Sequence, residues 1–162
     1  MDYAHAKLET AHLRLETVSS LDEMVTVLRD TARAVAGSDG ISVVLRDGAF
    51  CRYVAEDAFT PLWKGRRFPL EACISGWAIL NARAAVVPDI ERDPRVPAAA
   101  YRLSSMRSLV MTPIGSPEPV AALGAYWCAC VEPDAGTVGR LQALADAATA
   151  ALARLLPAPQ DA

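Results

Sequence analysis

The residues with the clearest chemical potential are Cys73 and Ser75, which lie where a strand-like pattern changes to helical spacing. Pro69 ends the strand pattern because its ring removes a donor from a sheet ladder. Helical spacing then begins at Ile74 and continues through Trp77. We expect Ser75 to cap this helix. A thiol at a helix N-terminus can have a lowered pKa, which would favour nucleophilic chemistry at Cys73.

A catalytic cysteine or serine normally needs a neighbouring base, most often histidine. The only histidines, His5 and His12, lie far from Cys73 along the chain. We therefore interpret Cys73 as a small apolar residue packed under a helix. We predict no catalytic residue and no enzymatic activity.

Metal and phosphate sites are not indicated. Cys128 and Cys130 stand two apart on a predicted strand, but the sequence offers no matched second pair of ligands. We interpret both as buried thiols that pack the sheet, and we expect no metal. Neither the dinucleotide-binding glycine pattern nor the Walker pattern occurs.

A ligand pocket is the remaining candidate site. Aromatic and soft side chains flank the central loops, as they do in concave apolar binding sites. The alternative for each of them is an ordinary position in the core. The predicted ligand-binding residues are Trp63, Phe68, Cys73, Trp77, Asp89, Tyr101, Met111 and Tyr126.

Periodicity predicts the elements that must position these residues. Helices are predicted over residues 4–18, 21–36 and 134–156, and strands over 41–46, 50–56, 66–68, 85–87, 108–114 and 120–131. Asp47-Gly48 predicts a hairpin. Ser20 and Asp134 are predicted helix caps. The long connection 89–105, with at most a short helix near 98–102, is interpreted as a lid or binding loop, and the alternative is an irregular cover on one face of the sheet.

Two helices carry stripes that suggest a partner. Leu8, Ala11 and Leu15 recur at a spacing near that of a coiled-coil seam. The last helix repeats apolar residues every three and four positions. We expect these terminal helices to form a homodimer.

Composition indicates one globular domain. The chain has 162 residues, of which 52% are apolar and 22% are charged, and its net charge is −3. Without a basic stripe, nucleic acid is not an expected partner. Neither a membrane-length apolar run nor a secretion signal is visible, so we expect a cytoplasmic protein with reduced thiols.

Six short runs in fixed order resemble a GAF domain: 62–70, 73–78, 87–90, 93–97, 108–114 and 122–127. The residues of these runs are most similar to those of GAF modules that precede bacterial histidine kinases, and the resemblance covers about residues 20–155. It implies an α+β fold, a GAF-like α/β/α sandwich with a roughly six-stranded antiparallel sheet. Terminal helices would cover one face and a loop-covered pocket the other. The implied divisions are an N-terminal helix (1–19) available for dimerisation, the GAF domain (20–156) and a tail (157–162).

The resemblance also implies a function: sensing an unknown small molecule and relaying its binding to a kinase or another output domain. Bilin-binding GAF domains attach their chromophore to a cysteine followed by histidine. That pair is absent, so no covalent bilin is expected. Asn81-Ala82-Arg83 followed by Asp89 does not reproduce the cyclic-nucleotide signature.

Two alternatives remain open. Free methionine-(R)-sulfoxide reductases are short, stand-alone GAF proteins, but only Cys73 falls near one of their cysteine positions and residues 89–105 contain none. A ligand-free dimerisation scaffold is the other, and it predicts a filled interior instead of a pocket.

Overall fold

The framework of the protein is a six-stranded antiparallel sheet, seen in a computed structural model that describes residues 2–156. The strands are β1 (Gly40–Asp47), β2 (Phe50–Ala58), β3 (Arg67–Pro69), β4 (Ala85–Val87), β5 (Ser108–Ile114) and β6 (Ala121–Trp127). They lie in the order β3-β2-β1-β6-β5-β4. The predicted α+β class and strand number are therefore confirmed, while the predicted tail 157–162 lies outside the described residues.

Within residues 2–156, five α-helices accompany the sheet: α1 (Tyr3–Glu16), α2 (Leu21–Ala36), α3 (Ile74–Asn81), α4 (Ala98–Tyr101) and α5 (Ala135–Leu155). The predicted caps are confirmed for two of them, since Ser20 accepts the Glu23 amide and Asp134 accepts the Thr137 amide. None of the helices between residues 2 and 156 combines the length and apolar character that a bilayer span requires.

Helices α1, α2 and α5 pack together over one face of the sheet. Part of the stripe that suggested a partner on α1 is used inside the chain, since Ala11 and Leu15 are buried where α1 packs against α2 and α5. The reason is the short connection after Thr17, which folds α1 back on α2. The guanidinium of Arg154 also donates to the Leu15 carbonyl at 2.6 Å, which ties α5 to α1.

A β-bulge in β2 changes which of its side chains face the helices and which face the core on the other side of the sheet. Val43 pairs with Ala55 but Val44 pairs with Tyr53, so Val54 is an extra residue on β2. An inserted residue reverses the alternation beyond it. Strict alternation from Cys51 would place Cys51, Tyr53 and Ala55 on one face. Instead, Ala55 packs under the helices, while Cys51 and Tyr53 face the core on the other side of the sheet.

The last strand is shorter than predicted. Its pairing with β5 ends at Trp127 opposite Ser108, and the next amide, that of Cys128, donates to the Asp39 carboxylate at 2.8 Å instead of to a strand. Cys128 and Cys130 therefore lie in a loop. Our expectation of two buried thiols is wrong, because Cys128 is half-buried and Cys130 is exposed.

Candidate functional site

The face of the sheet opposite the terminal helices carries four buried aromatic rings, which we call the aromatic cluster: Tyr53, Trp63, Tyr101 and Tyr126. Trp63 is central. Its ring centroid lies 4.5 Å from that of Tyr101, 5.1 Å from Tyr126 and 6.0 Å from Tyr53. Such spacings are those of interacting aromatic pairs. The rings pack against one another on the face where we expected a loop-covered pocket.

Trp63 is held from two sides. The Glu56 carboxylate accepts three consecutive backbone amides, from Leu62 at 2.8 Å, Trp63 at 3.0 Å and Lys64 at 2.8 Å. The indole Nε1–H of Trp63 donates to the Ala100 carbonyl at 2.9 Å. The first contact fixes the loop that carries the indole, and the second joins the indole to α4.

Three backbone amides donate to the two carboxylate oxygens of Glu56, whereas a glutamine side chain has only one acceptor oxygen. We therefore expect Glu56→Gln to lower the free energy of unfolding by about 1–2 kcal/mol. Chemical denaturation followed by circular dichroism measures the loss. Glu132→Gln, at an exposed position, is the control and should change stability by less than about 0.5 kcal/mol. Equal stabilities for the two variants would contradict the anchoring role.

Polar atoms are enclosed with these rings. Within residues 2–156, the hydroxyls of Tyr101, Tyr126 and Ser42 are buried without a well-formed hydrogen bond. Burial raises the pKa of Tyr53, Tyr101 and Tyr126 above the usual range, so these phenols are neutral at physiological pH. The Tyr126 hydroxyl lies near those of Ser42 and Tyr101, and both contacts partly offset the effect of burial on its pKa. The three hydroxyls therefore form one polar group, whose mutual contacts fall short of the well-formed hydrogen bonds that buried polar atoms usually make.

Two surface clefts flank the cover formed by residues 93–104. One, of about 210 Å³, is lined by Cys73, Trp77, Arg95 and Pro97 among others. The other, of about 490 Å³, is lined by Trp63, Arg66, Pro97 and Leu103 among others. Pro97 of the cover lines both clefts.

The cover is tied to α3 by a charged contact. Arg95 stacks its guanidinium 4.5 Å from the Trp77 ring centroid and pairs with the Asp93 carboxylate at 2.7 Å. The hydrogen bond from Arg95 lowers the pKa of Asp93, which keeps this carboxylate ionised.

Cys73 occupies the N-cap position of α3, which corrects our expectation that Ser75 would do so. Its Sγ accepts the Gly76 amide at 3.4 Å and lies 3.3 Å from the Ser75 hydroxyl. Ser75 sits in the first turn and is hydrogen bonded to the Tyr53 hydroxyl at 3.1 Å. The pKa of Cys73 is lowered to about 6, chiefly by the neighbouring Cys51 thiol, with Ser75 and the Gly76 amide contributing.

The predicted site residues fall into three groups. Trp63, Cys73, Tyr101, Met111 and Tyr126 are buried in one core, and Phe68 and Trp77 pack at its edge. Asp89 does not join them: its carboxylate accepts the Glu91 amide and pairs with Arg92.

Sequence reasoning missed Ser42, Cys51, Tyr53 and Glu56. Cys51 and Tyr53 carried a signal, since they alternate on one strand, whereas Glu56 reaches this side through the bulge. Among the described residues 2–156, no three His, Cys, Asp or Glu side chains converge as a metal site would require.

No family model and no curated protein sequence matches the chain. Solved structures do match. The GAF domain of an Acinetobacter phosphoenolpyruvate-protein phosphotransferase superposes with a TM-score of 0.78 at 12% identity, covering 95% of each chain. This chain has the GAF fold. The GAF fold is also that of the phycoerythrobilin-bound domain of a cyanobacterial phytochrome, with a TM-score of 0.76 at 16% identity and 96% of each chain covered.

A third similar structure is the free methionine-R-sulfoxide reductase of Neisseria meningitidis in complex with its substrate. Its TM-score is 0.79 at 20% identity, and the alignment covers 98% of this chain and 95% of that one. The GAF fold therefore accommodates both a chromophore domain and a reductase. At these identities the likeness establishes the fold alone, and the function must be argued from the site.

Proposed function

We propose that the chain is a cytoplasmic sensory GAF domain that binds a small molecule at the aromatic cluster and signals to a kinase or another output domain. The observation that carries the proposal is the set of buried hydroxyls of Tyr101, Tyr126 and Ser42, which have no well-formed partner within residues 2–156. A ligand offering hydrogen bonds there would remove the cost of burying them.

The cover supplies the moving part. Tyr101 belongs to the four-residue helix α4, yet its ring fills space between Trp63 and Tyr126. A ligand that binds better when Tyr101 is withdrawn shifts the population towards an open cover. Trp77, Phe68, Cys73 and Met111 would then border the ligand as predicted, and Asp89 would stand outside. The ligand is not expected to be a covalent bilin, nor is a metal expected.

Binding should depend on the Tyr126 hydroxyl. Native mass spectrometry of the full chain after incubation with a small-molecule extract is expected to show a retained adduct. Tyr126→Phe should weaken it at least about tenfold, since one hydrogen bond is lost while the ring remains. Thr112→Val is the matched control, because it also removes a buried hydroxyl without a hydrogen-bond partner. Thr112 follows Met111 directly on β5, so the two side chains lie on opposite faces of the sheet.

Adduct formation by the wild type and by Thr112→Val, with loss in Tyr126→Phe, supports the proposal. No adduct in any preparation would overturn it and favour the ligand-free scaffold, whose filled interior the packed rings resemble.

Dimerisation through the terminal helices is part of the same proposal. A surface groove of about 370 Å³ is lined by Leu8, Glu9, His12, Leu13 and Ala143, from α1 and α5. Leu13 is 63% exposed there. A second copy would bury this apolar strip and couple the helices to the change at the cover. Neither nucleic acid nor membrane is a proposed partner.

Leu13→Glu is expected to weaken the dimer at least about tenfold, because a carboxylate would be buried at the interface. Light scattering over a dilution series measures the shift. Leu103→Glu is the control, since Leu103 is fully exposed on the cover. An unchanged oligomeric state in Leu13→Glu would reject this interface.

A second candidate is a free methionine-(R)-sulfoxide reductase. It is favoured by Cys73, which borders a cleft next to a second thiol, and by the reductase among the similar structures. A turnover assay with thioredoxin as reductant tests it. Activity that survives Cys73→Ser would exclude the proposed nucleophile.

A further inference from the structure

Two thiols meet beneath the first turn of α3. Cys51 is on β2, where it pairs with Phe68 of β3. The chain leaves β3, turns through residues 70–72 and returns Cys73 to the same buried core. Cys51 and Cys73 belong to the same buried core, and each thiol perturbs the pKa of the other. The Cys73 Sγ lies 3.3 Å from the Ser75 hydroxyl. Ser75 bonds in turn to Tyr53, two residues from Cys51 on the same side of β2.

The two sulfurs differ in access. Cys73 lines the cleft of about 210 Å³ beside Trp77 and Arg95. Cys51 is fully buried behind it. A small reagent in the cleft would therefore meet Cys73 first, and Cys51 would act only on a product formed at Cys73.

Their protonation differs as well. The pKa of Cys73 is lowered, chiefly by the neighbouring Cys51 thiol, with the Ser75 hydroxyl and the Gly76 amide also favouring the thiolate. The Cys73 Sγ also lies 3.4 Å from the Pro69 carbonyl oxygen, a contact that favours the protonated thiol. The pKa of Cys51 is raised, chiefly by the Cys73 thiol and also by burial. Cys73 is therefore the more readily ionised thiol of the pair, and it is the one that lines the cleft.

We propose that Cys73 and Cys51 form a redox site that reacts with small hydroperoxides and closes to an intramolecular disulfide. Cys73 would also border the proposed ligand, but the redox reaction uses the two sulfurs and requires neither the Tyr126 hydroxyl nor a bound ligand. Nor does it require methionine sulfoxide as a substrate.

The reaction balances in two steps. The Cys73 thiolate attacks one peroxide oxygen, the O–O bond breaks, and the departing alkoxide or hydroxide takes a proton to leave as alcohol or water. Cys73 is then a sulfenic acid. The Cys51 sulfur attacks Cys73 Sγ, the S–O bond breaks, and the hydroxyl leaves as water with the Cys51 proton. The two sulfurs lose two electrons, which the peroxide gains, and an external dithiol reverses the disulfide.

The bond would link β2 to the start of α3. It would replace the capping contact that Cys73 Sγ makes with the Gly76 amide, at the edge of the cleft that the cover closes. Oxidation would thereby alter the wall of the cleft without any added domain.

The test uses the full chain with Cys128→Ser and Cys130→Ser, which removes the two more exposed thiols. Treatment with hydrogen peroxide should lower the intact mass by two hydrogen atoms. Peptide mapping should identify a Cys51–Cys73 crosslink, and dithiothreitol should restore the mass. In the same background, Cys51→Ala should accumulate a sulfenic acid that dimedone traps on Cys73, and Cys73→Ser should give neither product.

In the reduced protein, the rate of Cys73 alkylation by iodoacetamide should reach half its maximum at a lower pH than the rate at the exposed Cys130 thiol does. This comparison uses the chain that retains Cys130. A crosslink that needs denaturant, or peroxide consumption that leaves Cys73 unmodified, would overturn the proposal. Circular dichroism of Cys51→Ala checks whether this variant folds. If it is unfolded, the test rests on disulfide formation in the protein that retains both Cys51 and Cys73. Ligand retention lost in Tyr126→Phe with disulfide formation intact would separate the two sites.

Discussion

Gly76→Ala is expected to lower the free energy of unfolding by more than about 3 kcal/mol and to leave a largely unfolded chain. A Cβ at position 76 would clash with the Leu70 carbonyl oxygen and would lie 2.7 Å from the Leu70 Cα. Both are backbone atoms, so no rotamer change relieves the clash. Helix α3 would have to separate from the 70–72 turn, which carries Cys73 away from its amide partner.

Gly139→Ala provides the control for this substitution. Gly139 lies in α5, and a Cβ there would have no atom within 4 Å. Alanine in an exposed helix should raise the free energy of unfolding by about 0.5–1 kcal/mol. Urea denaturation followed by circular dichroism compares both variants with the wild type. If the two alanines shift the midpoint alike, the close approach at Gly76 is not what fixes α3.

Local signals were sufficient where the sequence predicted elements correctly. Ser20 and Asp134 cap helices because their side chains reach amides three residues on, an interaction within one turn. Asp47-Gly48 forms the β1–β2 hairpin because Gly48 adopts a φ of 60°, a conformation that glycine readily takes in a tight turn. Such features need no knowledge of the rest of the chain.

The predictions were wrong where contacts between distant segments determine the local structure. The bulge at Val54 depends on pairing with β1, and it alone brings Glu56 to the loop that carries Trp63. The end of β6 depends on Asp39, which captures the Cys128 amide from another part of the chain. Neither partner could be assigned from alternation within one strand.

The site was predictable in membership but not in packing. Hydrophobicity indicated that Trp63, Tyr101 and Tyr126 belong inside, and they are in one core. Whether they surround a hollow or fill it depends on ring orientations that no periodicity encodes. The cap formed by the Cys73 thiol was also missed, because serine is the commoner capping residue and Ser75 stands two residues away.

Trp63→Ala is expected to lower the free energy of unfolding by about 3–5 kcal/mol, the largest loss at any side chain of the aromatic cluster. The substitution leaves a cavity among Tyr53, Tyr101 and Tyr126, whose rings now pack on the indole. It also leaves the Ala100 carbonyl without its donor. Thermal and urea denaturation both measure the loss, which should appear as a lower midpoint with a retained far-ultraviolet spectrum at low temperature.

Trp63→Phe separates packing from the hydrogen bond. It keeps an aromatic ring but removes the Nε1–H that donates to Ala100, so stability should fall by only about 1–2 kcal/mol. Amide hydrogen exchange should then accelerate across 98–104 more than across β5, because the tie to α4 is lost. Phe59→Ala, at a ring that is 52% exposed, should cost less than about 1 kcal/mol. If Phe59→Ala matched Trp63→Ala, the indole could not be the centre of this core. Unchanged exchange in Trp63→Phe would mean that Tyr101 alone holds the cover, and a ligand would then have only that one ring to displace.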